Sequence, residues 1–242
     1  MDITTDTHSQ HISKQFNQEL EELKTHLMTM GGQVEKQVQD AVTALLESDS
    51  RLGERVSDDD KSVNDMQLKI DDECTRVLAR RQPAASDLRL VLAVIRATSD
   101  LERIGDEASK IARNAVVLSE AGNGPKGLVE VRHISEHVRA MVRDSLTAFA
   151  RFDIDLALKV VHEDEAVDNE YTSAMRSLMT FMMEDPRSIT SVLSVMWVLR
   201  ALERIGDHAN NLAEYVIYLV KGLDIRHIDP DELDEDALKR QS

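Results

Sequence analysis

The chain has 242 residues, 42% hydrophobic but only 3% aromatic, with 9 Gly and 4 Pro, so its core must come from Leu, Val, Ile, Met and Ala, a composition that favours helix over sheet. A formal net charge of −16 at pH 7 argues against nucleic-acid binding, which depends on Lys and Arg displacing counterions from phosphates, and points to metal ions or cationic surfaces instead. The single cysteine, Cys74, excludes an internal disulfide and fits a reducing compartment.

Residues 1–10 are polar and carry two Asp and no Lys or Arg. They lack the basic and apolar regions of a signal peptide, so the expectation is a disordered N-terminus over 1–10 on a cytoplasmic protein. From Phe16 onward the apolar residues recur at alternating steps of three and four (Phe16, Leu20, Leu23, Leu27, Met30, Val34), the pattern of a helix in a bundle. Helix breaks are expected near Asp49–Leu52, Arg80–Ala84, Gly122–Gly127, Phe152–Asp153, Asp185–Pro186 and Gly222, where chain-reversing, capping or helix-stopping residues interrupt the period. Asp185 followed by Pro186 has the form of an N-cap and a first-turn proline. The longest near-continuous apolar run, Val192 to Leu199, is far too short to span a bilayer. Residues 224–242 hold seven acidic residues and are expected to form a solvated acidic tail.

An internal repeat organises the rest. Leu101–Asp106 and Leu202–Asp207 are both Leu-Glu-Arg-Ile-Gly-Asp, a shift of 101, and Val34, Val38, Asp40, Asp49, Val56, Asp60 and Val63 correspond to Val138, Val142, Asp144, Asp153, Val160, Asp164 and Val167 at a shift of 104. The three-residue difference falls in one turn. The expected fold is therefore all-α: two tandem, pseudo-symmetric three-helix bundles, six long helices in all, with a first repeat over 11–121, a linker at 122–127 and a second repeat over 128–223.

The candidate chemistry is carboxylate chemistry. Glu102/Asp106 and Glu203/Asp207 are four apart, about 40° around a helix axis, and each pair forms an acidic ridge beside the core stripe. In the preceding helix of each half, Asp60 and Asp164 fall on the apolar stripe itself, where a carboxylate needs a cation, donors or an edge open to water. One turn later stand Asn64 and Asp168. The second half thus offers Asp164, Asp168, Glu203 and Asp207, and the first offers Asp60, Asn64, Glu102 and Asp106. Such acid pairs are usually solvated decoration, but their repetition at equivalent places beside an inward-registered Asp points to multinuclear clusters of hard or borderline cations such as Fe, Mn, Zn or Mg. Asn64 brings oxygen without charge, making the first site the weaker.

Other features carry less. Gly105 and Gly206 inside helices fit close helix packing. Arg103 and Arg204 serve either to hold the acidic ridges or as plain surface charges. His208 could add a ligand to the second site. His133 and His137 have a chelating spacing, with Glu130 and Glu136 nearby, but no counterpart in the other half, so an ordinary exposed pair is the expectation. Met175, Met179, Met182, Met183 and Met196 fit core filling most simply, with a pliable interaction surface as the alternative. There is no phosphate-binding glycine loop, no recognisable nucleophile motif and no activating context at Cys74, so no enzyme is expected. A di-metal carboxylate enzyme is the alternative; such bundles use two Glu-x-x-His motifs, and this chain has Glu130-Val-Arg-His133 alone.

The duplicated Leu-Glu-Arg-Ile-Gly-Asp, Asp60-Lys-Ser-Val-Asn64, Asp164-Glu-Ala-Val-Asp168 and Arg81-Gln-Pro-Ala-Ala-Ser-Asp-Leu-Arg89 together resemble the PhoU family of phosphate-signalling regulators over roughly Phe16 to Gly222. The resemblance implies a cytoplasmic homodimer of two three-helix bundles whose Glu/Asp-x-x-x-Asp motifs bind multinuclear metal clusters, here Glu102/Asp106, Asp164/Asp168 and Glu203/Asp207, with Asp60/Asn64 departing from the pattern. It further implies a non-enzymatic negative regulator of phosphate uptake and of the phosphate-starvation response, with the phosphate ABC transporter ATPase subunit and a sensor histidine kinase with its response regulator as partners.

Overall fold

Both halves start their second helix with the same device. Ser48 and Phe152 each take a left-handed φ of 56°, ending one helix, and the next residue, Asp49 or Asp153, turns its carboxylate onto the amide of Leu52 or Leu156, 3.0 Å in each case. An N-cap aspartate satisfies one of the four orphan amides of a helix start, and its duplication places the hairpin identically in the two repeats.

The computed structural model describes residues 4–120, 127–226 and 228, without the side chains of residues 4–13 and Asp60. Among these residues there are six α-helices and one short 3₁₀ turn: α1 (Thr4–Glu47), α2 (Ser50–Arg81), α3 (Ala85–Glu120), α4 (Leu128–Arg151), α5 (Ile154–Glu184), the turn Pro186–Ser188, and α6 (Ile189–Lys221). The backbone of α1 thus runs through most of the segment expected to be disordered. Most of the 122–127 linker lies outside the described residues; Gly127, at φ 93°, caps α4.

α1, α2 and α3 pack on one another, as do α4, α5 and α6, and the halves meet chiefly through α3 against α6, with α1 touching α4. The third helix of each half is the most enclosed. Val94, Ala97, Leu101, Ile104, Ala108 and Ile111 on α3, and Val195, Val198, Leu202, Ile205, Ala209 and Leu212 on α6, are all buried. A fully buried Val, Leu or Ile stabilises by roughly 1.5–3 kcal/mol relative to exposure, so these stripes anchor each bundle. Of the apolar run in α6, Val192, Val195, Val198 and Leu199 face inward while Leu193 and Trp197 are exposed.

The halves differ where the second helix gives way to the third. The positions equivalent to Arg81 and Ala85 are Asp185 and Pro186, adjacent in the chain, so the second junction is three residues shorter. In the first, Gln82 and Ala85 adopt left-handed φ values of 49° and 47°, and Arg81 grips Glu19 of α1 through two hydrogen bonds of 2.9 and 2.7 Å. In the second, Asp185 caps the 3₁₀ turn, accepting from the Arg187 amide at 3.2 Å, so Asp185-Pro186 starts a short turn ahead of α6 rather than α6 itself.

α3 and α6 run antiparallel. Asp100 pairs with residues near 208–215, Glu107 with Arg204, and Arg89 with the Leu219 carbonyl. At the seam Asp100, 7% exposed, lies 2.7 Å from His208 Nδ1 and accepts hydrogen bonds from Asn211 at 3.1 Å and the Tyr215 hydroxyl at 2.7 Å. The chain after α6 also docks: Ile225 is buried, and the Arg226 guanidinium draws the Asp224 carboxyl down to about 2. The expected solvated tail therefore begins packed on the bundle; residues 229–242 lie outside the described residues.

Candidate metal centre

In the second half Asp168, Glu203 and Asp207 come together, Asp168 and Asp207 exposed, with Asp164 one turn earlier on α5. Asp164 follows Val160 and precedes Val167 on the inward face of α5, both valines buried and Asp164 half-buried. Opposite it on α6 is Gly206, where an added Cβ would lie 3.6 Å from Val167 Cγ1 and 3.8 Å from Asp164 Oδ1. Any side chain much larger than alanine would displace the aspartate. One turn further along α5, an Asp168 oxygen comes within 4.8 Å of oxygens from both Glu203 and Asp207.

The electrostatics record the crowding. Burial, then the charges of Asp207, Asp168 and Glu203, push the Asp164 carboxyl up to about 7 despite a hydrogen bond donated by Asn210 at 3.2 Å. Burial and Asp207 raise Glu203, with Arg200 opposing, and burial and Asp168 raise Asp207, with His208 and both arginines opposing. Like charges this close cannot all remain ionised without a counter-charge. Glu203 holds Arg200 on one oxygen, while its Oε2 is shielded from solvent and has no hydrogen-bond partner. A shielded, unpartnered carboxylate oxygen facing two further carboxylates fits a cation, and an all-oxygen set suits hard or borderline divalent ions.

The first half is not equivalent. Asn64 is half-buried with its Oδ1 shielded and unpartnered, Glu102 and Asp106 are half-buried, and the Asp60 side chain lies outside the described residues. Among the described residues no three His, Cys, Asp or Glu side chains come together there.

Several side chains act differently from their sequence readings. His208 is engaged with Asp100 at the seam rather than with the second cluster. Arg204 reaches across to buried Glu107 of α3 at 2.6 Å, Arg103 is exposed, and Arg200 is the arginine on the acidic ridge. Asn210 and Arg200 escaped the motif reading although they lie on the same face of α6, at i+3 from Asp207 and i−3 from Glu203; that helical spacing was the available signal. His133 and His137 meet Glu170 of α5, with Nδ1 to carboxylate distances of 3.8 and 3.2 Å. Glu130 lines a cleft with His133 and Glu170, while Glu136 borders a different one beside α1. The Cys74 thiol is buried and pushed up to about 12, first by burial and then by Asp71 and Glu73, which leaves it inert.

The fold and site define a class: an all-α double bundle with an acid-lined groove between its last two helices. No helix among the described residues is long and apolar enough to cross a membrane. The PhoU domain model matches residues 27–115 and again 131–216. The phosphate-specific transport system accessory protein PhoU homolog of Pseudomonas putida is 61% identical over 226 residues, 93% of this chain and 88% of that one. The accessory protein PhoU of Escherichia coli K12 is 49% identical over 227 residues, 94% of each chain. The crystal structure of PhoU from Pseudomonas aeruginosa has a TM-score of 0.84 at 59% identity, covering 86% of this chain and all of that one, and that of the phosphate transport system regulatory protein PhoU from Streptococcus pneumoniae has a TM-score of 0.79 at 29% identity, covering 86% and 98%. The chain belongs to the PhoU family.

Proposed function

We propose that this protein is an accessory regulator of a phosphate-specific transport system, a non-enzymatic adaptor that restrains phosphate uptake and holds the phosphate-starvation response off when phosphate is plentiful. The observation that carries the reading is end-to-end similarity, at 49% to 61% identity, to proteins named as accessory components of that transport system. The partners in this reading are the cytoplasmic ATPase subunit of the phosphate ABC transporter and a sensor histidine kinase with its response regulator, and the working form is a cytoplasmic homodimer. The net charge of −16 favours docking on basic surfaces.

In the same reading Asp164, Asp168, Glu203 and Asp207 hold a metal cluster, and Asp60, Asn64, Glu102 and Asp106 hold a weaker one. A bound cluster would supply positive charge that keeps α5 and α6 together against the repulsion of their own carboxylates. The chain's contribution is to hold the acids in place: Arg200 and Asn210 orient Glu203 and Asp164, and Gly206 leaves room for the latter.

Deletion in the native host is expected to derepress a phosphate-starvation reporter at high phosphate, with complementation by the intact chain. A reporter that stays silent in the deletion strain would refute the regulatory reading. Co-purification of the untagged chain with the transporter ATPase and with the kinase tests the adaptor role separately.

A further inference from the structure

On the α4/α5 face, on the side of α5 away from the acidic groove, two imidazoles and a carboxylate meet. His133 and His137 stand one turn apart on α4, with rings perpendicular and centroids 5.3 Å apart. Glu170 of α5 directs one oxygen to each: Oε1 is 3.2 Å from His137 Nδ1 and Oε2 is 3.8 Å from His133 Nδ1. Ligand atoms of all three lie within 4.8 Å of one another.

Solvation or ion pairing alone does not account for the arrangement. His137 Nδ1 and Glu170 Oε2 are both shielded from solvent, and neither has a hydrogen-bond partner; the nitrogen and the carboxylate approach closely without hydrogen-bond alignment. Shielded polar atoms are ordinarily satisfied, and these two face a third potential ligand atom across a small gap. Tetrahedral zinc with bonds of about 2.0–2.1 Å sets its donors about 3.4 Å apart, so small side-chain adjustments suffice. A cleft of about 460 Å³, lined by Val129, Glu130, Asn169 and Ser173 among others, opens beside His133 and Glu170 and gives a fourth ligand access.

We propose that His133, His137 and Glu170 form a zinc-binding site distinct from the acidic groove, with its fourth position open to this cleft. Two imidazole nitrogens select borderline transition ions over magnesium, whereas the all-oxygen groove does not. The repeat supplies an internal contrast: the equivalent first-half residues are Thr29, Gln33 and Met66, so any such site exists once per chain. The inference is independent of the proposed regulatory function.

The test uses untagged full-length protein carrying Asp168→Asn, Glu203→Gln and Asp207→Asn, which silences the acidic groove, titrated with Zn²⁺ while the histidine rings are followed by ¹H–¹⁵N correlation. One equivalent of Zn²⁺ is expected to shift His133 and His137 selectively among the eight histidines. Adding His133→Ala and His137→Ala is expected to weaken zinc binding by about 100-fold, and Glu170→Gln to weaken it while leaving far-UV circular dichroism unchanged. If the triple variant does not fold, the same titration in the unmodified chain with excess Mg²⁺ on the carboxylates gives the answer. Unmoved His133 and His137 signals at saturating Zn²⁺, equal shifts with Mg²⁺, or full zinc affinity in the double histidine variant would each overturn the proposal.

Discussion

The two acid sites descend from one pattern and differ in what surrounds it. In the second half four carboxylates share one groove, and burial together with mutual repulsion pushes Asp164 up to about 7; in the first, the position equivalent to Asp168 is Asn64, and one acid fewer faces its neighbours. The difference teaches that a duplicated motif does not make a duplicated site: Leu-Glu-Arg-Ile-Gly-Asp is identical in both copies, and the residue supplied by the preceding helix sets the local charge density.

The sharpest way to break this comparison is metal content. Converting Asp168, Glu203 and Asp207 to their amides is expected to remove most of the metal bound to protein purified without chelators, whereas Glu102→Gln with Asp106→Asn removes the minor share; elemental analysis reads both. Equal losses would make the sites equivalent.

Next in size is pH dependence in the metal-free protein. The folded-state pKa of Asp164 is raised from 3.8 to about 7, so between these values the native state binds more protons than the unfolded one and stability falls as pH rises, levelling off above about pH 7. The loss is on the order of 2 kcal/mol after solvent screening. Asp164→Asn should make this decline shallower in urea titrations at pH 4 to 8, leaving the share of Glu214, which burial also pushes up to about 7, while Asp106→Asn should leave the whole decline in place.

A smaller effect is expected from Asn64→Asp, which restores the fourth acid of the first site. Metal bound by the first half should rise, roughly tenfold in affinity or less, with a matching loss of metal-free stability once the added carboxyl is ionised. Smallest are two glycine substitutions. At Gly206 an added Cβ meets its nearest neighbours at 3.6–3.9 Å, so Gly206→Ala should gain up to about 1 kcal/mol from helix propensity. At Gly53 it would lie 2.9 Å from the Ala112 carbonyl oxygen, so Gly53→Ala should lose about 1 kcal/mol net, although the second half carries Ala157 at the equivalent place. Thermal unfolding separates the two signs.

Much of this was legible in the sequence because helical periodicity and internal repetition are one-dimensional signals. The six helices, the nearness of Asp168 to Glu203 and Asp207 and the inward register of Asp164 all follow from spacing. Partnerships across helices do not, because spacing along one helix says nothing of the register of its neighbour. Glu170 was invisible beside His133 and His137 for that reason, with Glu130 and Glu136 the nearer acids in sequence. Spacing leaves Arg204 open between the adjacent ridge and the plain surface and offers His208 as an added ligand, whereas the helix turns both toward α3. The left-handed residues Ser48 and Phe152 were equally hidden, since neither is a residue type that prefers that conformation.

Asp100 at the seam has a further consequence for how copies of this chain can meet. Its equivalent in the second half is Ala201, and its partners His208, Asn211 and Tyr215 correspond to Glu107, Lys110 and Asn114. If the first halves of two chains joined as α3 and α6 do here, Asp100 would face Glu107, Lys110 and Asn114, with an acid in place of the imidazole and no tyrosine hydroxyl. If two second halves did so, His208 and Tyr215 would face only Ala201. The seam is thus asymmetric, its buried carboxylate on α3 and the three partners of that carboxylate on α6, and joining two like halves would not reproduce it.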